Sequence, residues 1–365
     1  MNPSPKVSII IPVYETGKIL NCALDSALGQ TLREIEVVAV DDGSTDPETP
    51  KILAERAAAD DRLRVFRQNQ NSGTWSARRR GILESRGKYL LFLDPDDFLE
   101  TTAAEELSAL ADREKADVIH FATLEFTRAE DGTMKALHNA VAPNDRRISG
   151  PRAVLRDLLT GGHNWAIGFK MIRGEICRRV AAETEDFYCV MGEDLYLCLA
   201  AAFYAETMLQ IGKPYYHYDT TAGVTAVRTV SPERFRRTAT LLDALARCEK
   251  LLQEKGILND PVCAGGWKDI LRGQYLILWN RWYSRLAPGS RGETAEYLVR
   301  HAHDRETFLL ALFDENDYLR ENEEFLRFAR AIYGLLNRIF PKNSCLRLKL
   351  KTWYKKRKAS GKEPA

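Results

Sequence analysis

The chain has 365 residues, of which 45% are hydrophobic and 28% charged, and a net charge of +2. These are ordinary values for a globular protein with one large domain and room for a smaller one. The seven cysteines are scattered and form no Cys-x-x-Cys pair, which argues against a disulfide framework or a zinc site and favours a reducing compartment. The first apolar run is too short for a signal peptide, and no run approaches the ~18 residues that span a bilayer. We therefore expect a cytoplasmic protein.

The charge is unevenly distributed. Residues 342–365 carry nine Lys or Arg against Glu363 alone, so a tail of +8 leaves −6 on the remainder. An acidic body is not the composition of a nucleic-acid-binding fold, and we expect no nucleic-acid partner. In the tail, leucines, Trp353 and Tyr354 alternate with the cations, which favours peripheral contact with the inner face of the cell membrane. A solvated tail or a nonspecific nucleic-acid contact is the alternative.

Strands and helices alternate in the first part of the chain. The predicted strands cover residues 7–11, 36–40, 64–67, 89–93 and 117–126, and the predicted helices cover 19–28, 50–59 and 76–85. The continuous β-branched run at 7–11 is typical of a strand buried on both faces. The alternation predicts βαβ crossovers and a mostly parallel sheet flanked by helices. Asp131-Gly132 is predicted to form a turn.

Helical patterns dominate from about residue 232, with predicted helices at 235–252 and 321–340. The predicted organisation is an α/β domain at 1–228, a helical C-terminal region at 229–341 and the basic tail at 342–365.

Two acidic clusters directly follow predicted strands. Asp41-Asp42-Gly43 follows the second strand, and Asp94-Pro95-Asp96-Asp97 follows the strand at 89–93. In an open α/β sheet, ligands bind beyond the carboxyl ends of the strands, where both clusters should converge. Divalent cations prefer carboxylate and phosphate oxygens. In isolation each cluster is more typical of a turn than of a metal site, and the first is also typical of a helix cap from Ser44 or Asp46.

These segments together resemble a known family. The motifs are Val7-Ser8-Ile9-Ile10-Ile11-Pro12-Val13-Tyr14, Val40-Asp41-Asp42-Gly43-Ser44-Thr45-Asp46 and Phe92-Leu93-Asp94-Pro95-Asp96-Asp97, with smaller matches at Asn71-Ser72-Gly73 and Ala77-Arg78. In this order and spacing they look like the signatures of family 2 glycosyltransferases, over roughly residues 6–228. The resemblance implies a GT-A nucleotide-diphospho-sugar transferase fold.

The resemblance also implies roles on the donor side. The residues that it assigns to the nucleotide sugar are Pro12, Val13, Tyr14, Glu15, Asp41, Asp42, Gly43, Arg78, Asp94 and Pro95. Asp94 and Asp96 form the Asp-x-Asp motif that holds Mn²⁺ or Mg²⁺ against the diphosphate, with Asp96 the preferred direct ligand. The family often has Asn after the arginine, whereas Arg79 stands here. Arg79 either contacts a phosphate or lies on a solvated helix face, and the pattern favours the face.

On the acceptor side, Gly192-Glu193-Asp194 resembles the family's Glu-Asp motif. Inverting displacement needs a base on the face opposite the leaving group, and Asp194 is the candidate, with Glu193 beside it. Trp165 and Lys170 resemble residues of the family's acceptor-binding segment, although Trp165 is equally compatible with ordinary packing. His217 is a candidate third metal ligand, but its register is poor, because the family's polar position falls nearer 219–221.

The sequence thus predicts an inverting, metal-dependent glycosyltransferase of the hexosyltransferase class. Its donor would be a nucleotide-diphosphate sugar, with UDP favoured. Its acceptor would be a hydroxyl of a glycan or lipid-linked acceptor in cell-surface polysaccharide synthesis. An inactive family member that binds a nucleotide sugar or a partner protein is the alternative. A dinucleotide-dependent oxidoreductase is disfavoured, because no Gly-x-Gly-x-x-Gly turn follows the first strand.

Overall fold

A computed structural model of the chain describes residues 4–129, 132–223 and 229–314. The chain divides into two compact units, one of residues 1–226 with 243–266 and the other of residues 227–242 with 267–365. The predicted helix at 321–340, the basic tail at 342–365 and Asp131 of the predicted turn lie outside the described residues.

The larger unit is an α/β structure. Its strands are β1 (Val7–Val13), β2 (Ile35–Asp41), β3 (Leu63–Arg67), β4 (Tyr89–Phe92), β5 (Phe98–Leu99), β6 (Val118–Arg128), β7 (Met134–Val141), β8 (Arg146–Ser149), β9 (Lys170–Arg173) and β10 (Thr207–Asp219). Its helices before residue 226 are α1 (Leu20–Leu28), α2 (Glu48–Ala59), α3 (Thr74–Glu84), α4 (Ala103–Glu114), α5 (Ala153–Leu159), α6 (Gly174–Glu183) and α7 (Glu193–Tyr204). The helices that follow are α8 (Pro232–Thr238), α9 (Thr240–Glu254), α10 (Pro261–Arg285), α11 (Pro288–His301) and α12 (Arg305–Asp314).

One mixed sheet forms the centre of this unit, in the order β3-β2-β1-β4-β9-β6-β10-β5. Strands β3, β2, β1 and β4 are parallel, as predicted. Every residue of β1, β2 and β4 is buried, which explains why these strands appear in the sequence as largely apolar runs. Their carboxyl ends lie at one edge of the sheet, and the acidic clusters begin there.

The second half of the sheet was not predicted beyond the strand at 117–126. Strand β9 is antiparallel to both β4 and β6, and β10 runs parallel to β6. Because β9 runs opposite to β4, its first residue, Lys170, lies at the same edge as the end of β4. The antiparallel insertion thus brings a later part of the chain to the acidic clusters.

The helical region after residue 229 confirms the predicted character but corrects one boundary. The expected single helix at 235–252 is wrong, because the chain breaks at Ala239 between α8 and α9. Thr238 and Thr240 flank the break, and their hydroxyls donate to the carbonyls of Phe235 and Arg237. Such side chains compete with the backbone for its hydrogen bonds. Within the described ranges, no helix is long and apolar enough to cross a membrane.

Candidate active site

The end of β2 forms a clamp on the loop that leads into α3. Asp42 is buried and accepts hydrogen bonds from Gln68 Nε2 (2.7 Å), Ser72 N–H (2.8 Å) and Gly73 N–H (2.8 Å). Burial raises the pKa of Asp42 to about 6, although the two backbone donors act in the opposite direction. Through these three hydrogen bonds, the Asp42 carboxylate holds the loop that leads into α3.

Asp41 and Gly43 shape the turn after β2. Asp41 accepts from Ser44 N–H (2.8 Å) and pairs with Arg67 Nη1 (2.6 Å). Gly43 has φ of +74°, and a Cβ on it would lie 2.7 Å from the carbonyl carbon of Gln70, so the turn requires glycine here. The predicted cap of α2 comes from Asp46, whose Oδ1 accepts from the N–H groups of residues 48 and 49.

The end of β1 lies beside this turn, since Val13 O accepts from Asp42 N–H at 2.8 Å. Pro12 and Val13 are buried, Tyr14 is half-buried and Glu15 is exposed. Glu15 has φ of +50°, and its N–H donates to Ser44 Oγ at 2.9 Å. The predicted residues of β1 and β2 thus lie together at the sheet edge, with Tyr14 and Glu15 reaching solvent.

The motif after β4 contains carboxylates in opposite environments. Asp97 is buried, and it accepts from Tyr216 Oη (2.6 Å) and from Asp219 N–H (2.7 Å). Tyr216 Oη in turn accepts from Asp94 N–H at 3.2 Å. Burial, followed by the charges of Asp96 and Asp94, raises the pKa of Asp97 well above its usual range. Asp97 therefore stabilises the position of the motif through these buried hydrogen bonds.

Asp96 is half-buried, as are Asp94 and Pro95 on either side of the turn. Burial raises the pKa of Asp96 to about 7, and the charge of Asp94 adds to this effect. Within the described part of the chain, no ion pair or hydrogen bond from another residue's side chain reaches the Asp96 carboxylate. Its Oδ2 lies 3.0 Å from the position of a Cβ on Gly223, so the chain after β10 passes close by.

Arg78 on α3 connects the donor-side motif to the acceptor-side motif. Its guanidinium is buried and pairs with Asp94 Oδ1 (2.7 Å), Glu193 Oε1 (3.0 Å) and Asp194 Oδ1. Burial alone would lower the pKa of Arg78, but the three carboxylates outweigh it and hold this pKa well above its usual range. One cation thus ties the end of β4 to the first turn of α7.

The two carboxyl groups of the acceptor-side motif, those of Glu193 and Asp194, are wholly or partly buried. Burial raises the pKa of Asp194, and it raises that of Glu193 to about 8, while Arg78 lowers both. Asp194 is half-buried, and its Oδ2 accepts from Ile167 N–H at 3.3 Å. A carboxylate with a raised pKa is suited to accept a proton near neutral pH.

Lys170 supports the segment in front of Asp194. Its side chain is 1% exposed, and Nζ donates to Asn164 O (2.8 Å), Asn164 Oδ1 (3.2 Å) and Ala166 O (2.8 Å). Trp165 lies between these residues and is half-buried. Lys170 is therefore a brace for the loop that carries Trp165 and presents Ile167 N–H to Asp194.

His217 pairs with a different carboxylate, that of Glu100. Its Nε2 lies 2.6 Å from Glu100 Oε1, and its ring stacks on Phe98 with centroids 4.1 Å apart. Successive strand residues point to opposite faces, and Tyr216 is the one that contacts Asp97. In the described ranges, no three His, Cys, Asp or Glu side chains form a preassembled metal site.

Arg79 has a different role from either expected one. It is half-buried, and its Nε donates to Ala181 O at 2.8 Å, at the end of α6. The favoured solvated face is therefore wrong, because Arg79 links α3 to α6.

Several residues of the site were missed in the sequence, above all Tyr216, Asn164 and the backbone of Ile167. The alternation in Pro214-Tyr215-Tyr216-His217-Tyr218 could have indicated that Tyr216 and His217 face opposite sides. The loop contacts of Asn164 and Ile167 carry no sequence signal.

Comparisons with known proteins identify a family for the first part of the chain. Residues 8–177 match the model of the family described as glycosyl transferase family 2. That segment belongs to glycosyl transferase family 2. It contains β1, β2 and β4 with the acidic motifs at their ends, which confirms the resemblance.

Two bacterial proteins are among the relatives of this family 2 segment. EpsH of Bacillus subtilis (strain 168), named as a glycosyltransferase, is 29% identical over 224 residues, which are 59% of this chain and 61% of EpsH. Chondroitin synthase of Escherichia coli is 45% identical over 101 residues, 28% of this chain and 14% of the synthase. The chain thus spans less than two thirds of the length of either relative.

The solved structure of S. aureus TarS residues 1–349 has a TM-score of 0.50 with this chain at 17% identity, and covers 87% of this chain and 92% of its own. This likeness extends into the helical C-terminal region. It confirms the expected GT-A fold and carries no information about substrate.

Proposed function

We propose that this protein is an inverting, metal-dependent glycosyltransferase that moves one sugar, of the hexosyl class, from a nucleotide-diphosphate donor to a hydroxyl acceptor. The observation that carries the proposal is the convergence of Asp94 and Asp194 on one guanidinium, that of Arg78. A donor-side and an acceptor-side carboxylate are thereby brought together, as a transferase requires. Membership of residues 8–177 in family 2 supports the same activity.

The residues at the end of β4 fit a divalent cation. Asp96 is a half-buried carboxylate with a pKa raised to about 7 and no side-chain partner among the residues described. Such a group is stabilised by a nearby positive charge, and Mg²⁺ and Mn²⁺ prefer carboxylate together with phosphate oxygens. We propose Asp96 as the direct ligand and Asp94 as the supporting one. The cation would neutralise the charge of the departing diphosphate.

The protein's own groups account for the remaining chemistry. Asp194 would accept the proton of the acceptor hydroxyl while that oxygen forms a bond to the anomeric carbon. The bond from this carbon to the diphosphate oxygen breaks, and the nucleoside diphosphate leaves with the electron pair. With the base and the leaving group on opposite faces of the sugar, the product would have inverted configuration. Trp165, braced by Lys170, is the proposed contact for the acceptor.

Other parts of the assignment rest on the family. A UDP-sugar is the favoured donor, with Pro12, Val13, Tyr14, Glu15, Asp41, Asp42 and Gly43 around the nucleotide. A glycan or lipid-linked acceptor in cell-surface polysaccharide synthesis is the proposed substrate, reached from the cytoplasmic side of the membrane. Since His217 is paired with Glu100 and lies on the opposite strand face from Tyr216, we do not include it in the proposed ligand set.

A donor panel tests the proposal. The protein is incubated with nucleotide sugars and Mn²⁺, with and without extracts that supply acceptors, and donor consumption and melting temperature are measured. We expect one donor to be consumed and to raise the melting temperature only when metal is present. Binding without turnover would favour the inactive family member. If no donor is consumed and none changes the melting temperature, the proposal is wrong.

A further inference from the structure

Arg78 occupies an unusual place for a buried arginine. It is 3% exposed and faces three carboxylates from two parts of the chain that are far apart in sequence. Nη2 contacts Asp94, whereas Nη1 contacts Glu193 and Asp194. The two terminal nitrogens of one rigid, planar group are therefore divided between the donor side and the acceptor side.

The third guanidinium nitrogen of Arg78, Nε, indicates which contacts determine the orientation of the side chain. The buried Nε of Arg78 has no hydrogen-bond partner among the described residues. A buried donor without an acceptor is unfavourable, so a residue placed only for packing or solvation would have turned to satisfy it. The orientation that is adopted satisfies the carboxylates and leaves Nε unpaired.

The backbone that carries Arg78 is fixed independently. Asp42 holds the N–H groups of Ser72 and Gly73, directly before α3. On the other side of the base, Ile167 N–H donates to Asp194 Oδ2. Asp194 is therefore held at both oxygens, by Arg78 from α3 and by the loop that Lys170 braces.

We infer that Arg78 is a positioning residue for the transfer step, which fixes the base Asp194 at a set distance from the donor-side Asp94. This inference rests on the proposed function. The fork geometry matters because a single ammonium cannot bridge Asp94 and Asp194 through two separate nitrogens. The role differs from that of a donor ligand, which would act mainly on donor affinity.

The first test is Arg78→Lys, which keeps the positive charge and loses the fork. Transfer at saturating donor should slow at least ~30-fold, while the donor dissociation constant, measured by calorimetry with Mn²⁺, changes less than ~3-fold. The matched control is Arg80→Lys on the same helix, where the exposed arginine pairs with Glu84 at 2.8 Å. Its transfer rate should equal that of the wild type.

A second variant separates position from charge. Removing Arg78 alone leaves buried carboxylates uncompensated, which can prevent folding. Glu193 has a pKa raised to about 8, so the double variant Arg78→Gln with Glu193→Gln is assayed above that pH, where Glu193 is ionised. Under these conditions it removes one charge of each sign and keeps the net charge of the cluster. We expect this double variant to keep a melting temperature near that of wild type and to transfer as slowly as Arg78→Lys. Glu193→Gln alone measures the effect of that substitution by itself.

The outcomes that overturn the inference are distinct. A double variant that transfers at the rate of Glu193→Gln would mean that Arg78 only neutralises buried charge. An Arg78→Lys variant whose donor affinity falls as much as its transfer rate would mean that Arg78 is a donor ligand. Equal rates for Arg78→Lys and Arg80→Lys would exclude any special role. A wild-type protein inactive on every donor would overturn the proposed function and this inference together.

Discussion

The neighbouring aspartates Asp96 and Asp97 belong to one motif but lie in different environments, and we expect them to have different roles. Asp97 is 1% exposed and is bonded to Tyr216 and to the backbone of Asp219. The Asp96 carboxylate has no such bonds to other side chains in the described part of the chain. The first is therefore expected to maintain structure, and the second to bind.

Substitutions at these two positions should separate stability from binding. Asp97→Ala leaves two buried donors unpaired, so the free energy of unfolding should fall by about 1–3 kcal/mol. Asp96→Asn removes a half-buried charge, so its melting temperature should equal or exceed that of wild type, while transfer falls ~100-fold, or about 2.7 kcal/mol of barrier. Thermal unfolding and donor consumption measure both. An Asp96→Asn protein that is strongly destabilised would indicate a structural role instead.

The pKa of Asp96 predicts how metal binding depends on pH. This pKa is raised from 3.8 to about 7 in the folded protein, so folding favours the protonated form. The resulting stability is present below the unfolded pKa and is lost as pH rises through about 7. A divalent cation binds the ionised form, so the affinity for Mn²⁺ should increase about tenfold from pH 6 to pH 8. Calorimetry on the wild type and on Asp96→Asn, which should lack this increase, would test it. A pH-independent affinity in the wild type would contradict the assignment.

At this scale the sequence predicts which residues meet better than it predicts what each one does. Asp41, Asp42 and Asp94 were expected to converge because the ends of parallel strands share one edge. Asp194 was named only from the resemblance to the family's Glu-Asp motif. The turn interpretation of the first acidic cluster is compatible with a structural role for Asp42. The sequence did not indicate, however, that Asp42 holds the loop before α3. The role of Tyr216 depends on a strand that pairs across the sheet, and no local pattern contains that information.

Among the elements, the start of α3 packs closely against the segment before α7. Gly73 has φ of +89°, and a Cβ there would lie 2.7 Å from both the nitrogen and the oxygen of Cys189. Trp75 N–H also donates to Cys189 O at 3.0 Å. The start of α3 is thus packed directly against the chain that leads to Asp194.

An alanine at Gly73 should therefore be much more costly than one at a comparable glycine in open space. Gly161 has φ of +77° and nothing within 4 Å of an added Cβ. We expect Gly161→Ala to lose about 1–2 kcal/mol of stability from backbone conformation alone. Gly73→Ala should lose at least ~2 kcal/mol more, because the backbone at residue 189 must move. Denaturant unfolding compares the two, and equal losses would refute the close packing.

The elements of the first half were predicted because β1, β2 and β4 are buried on both faces and their helices follow at short spacing. The strands β7, β8, β9 and β10 were not predicted. They are short or mixed in polarity. Strand β9 is held by pairing with β4, β7 and β10 by pairing with β6, and β8 by pairing with β10. Register across the sheet is a tertiary property, and local periodicity does not encode it.

For the whole molecule, we propose that the GT-A domain of residues 1–228 also needs residues 243–266, which belong to the same compact unit. In this segment Arg247 pairs with Glu185 at 2.5 Å and lies over the ring of Phe187, and Asp260 pairs with Arg156 at 2.6 Å. A fragment of residues 1–266 should unfold cooperatively, and one of residues 1–228 should not. Thermal denaturation of both decides, and equal cooperativity would show that the segment is dispensable.

The central claim is that one chain binds a donor at the edge of the sheet and activates an acceptor with Asp194. Asp194→Asn tests it most directly, with transfer of labelled sugar into acceptor extracts and donor binding in the presence of Mn²⁺ both measured. The substitution keeps the size of the side chain and removes its basicity. We expect transfer to fall at least ~1,000-fold while the donor dissociation constant stays within ~3-fold of wild type. Transfer at the wild-type rate, or loss of donor binding along with transfer, would contradict the account.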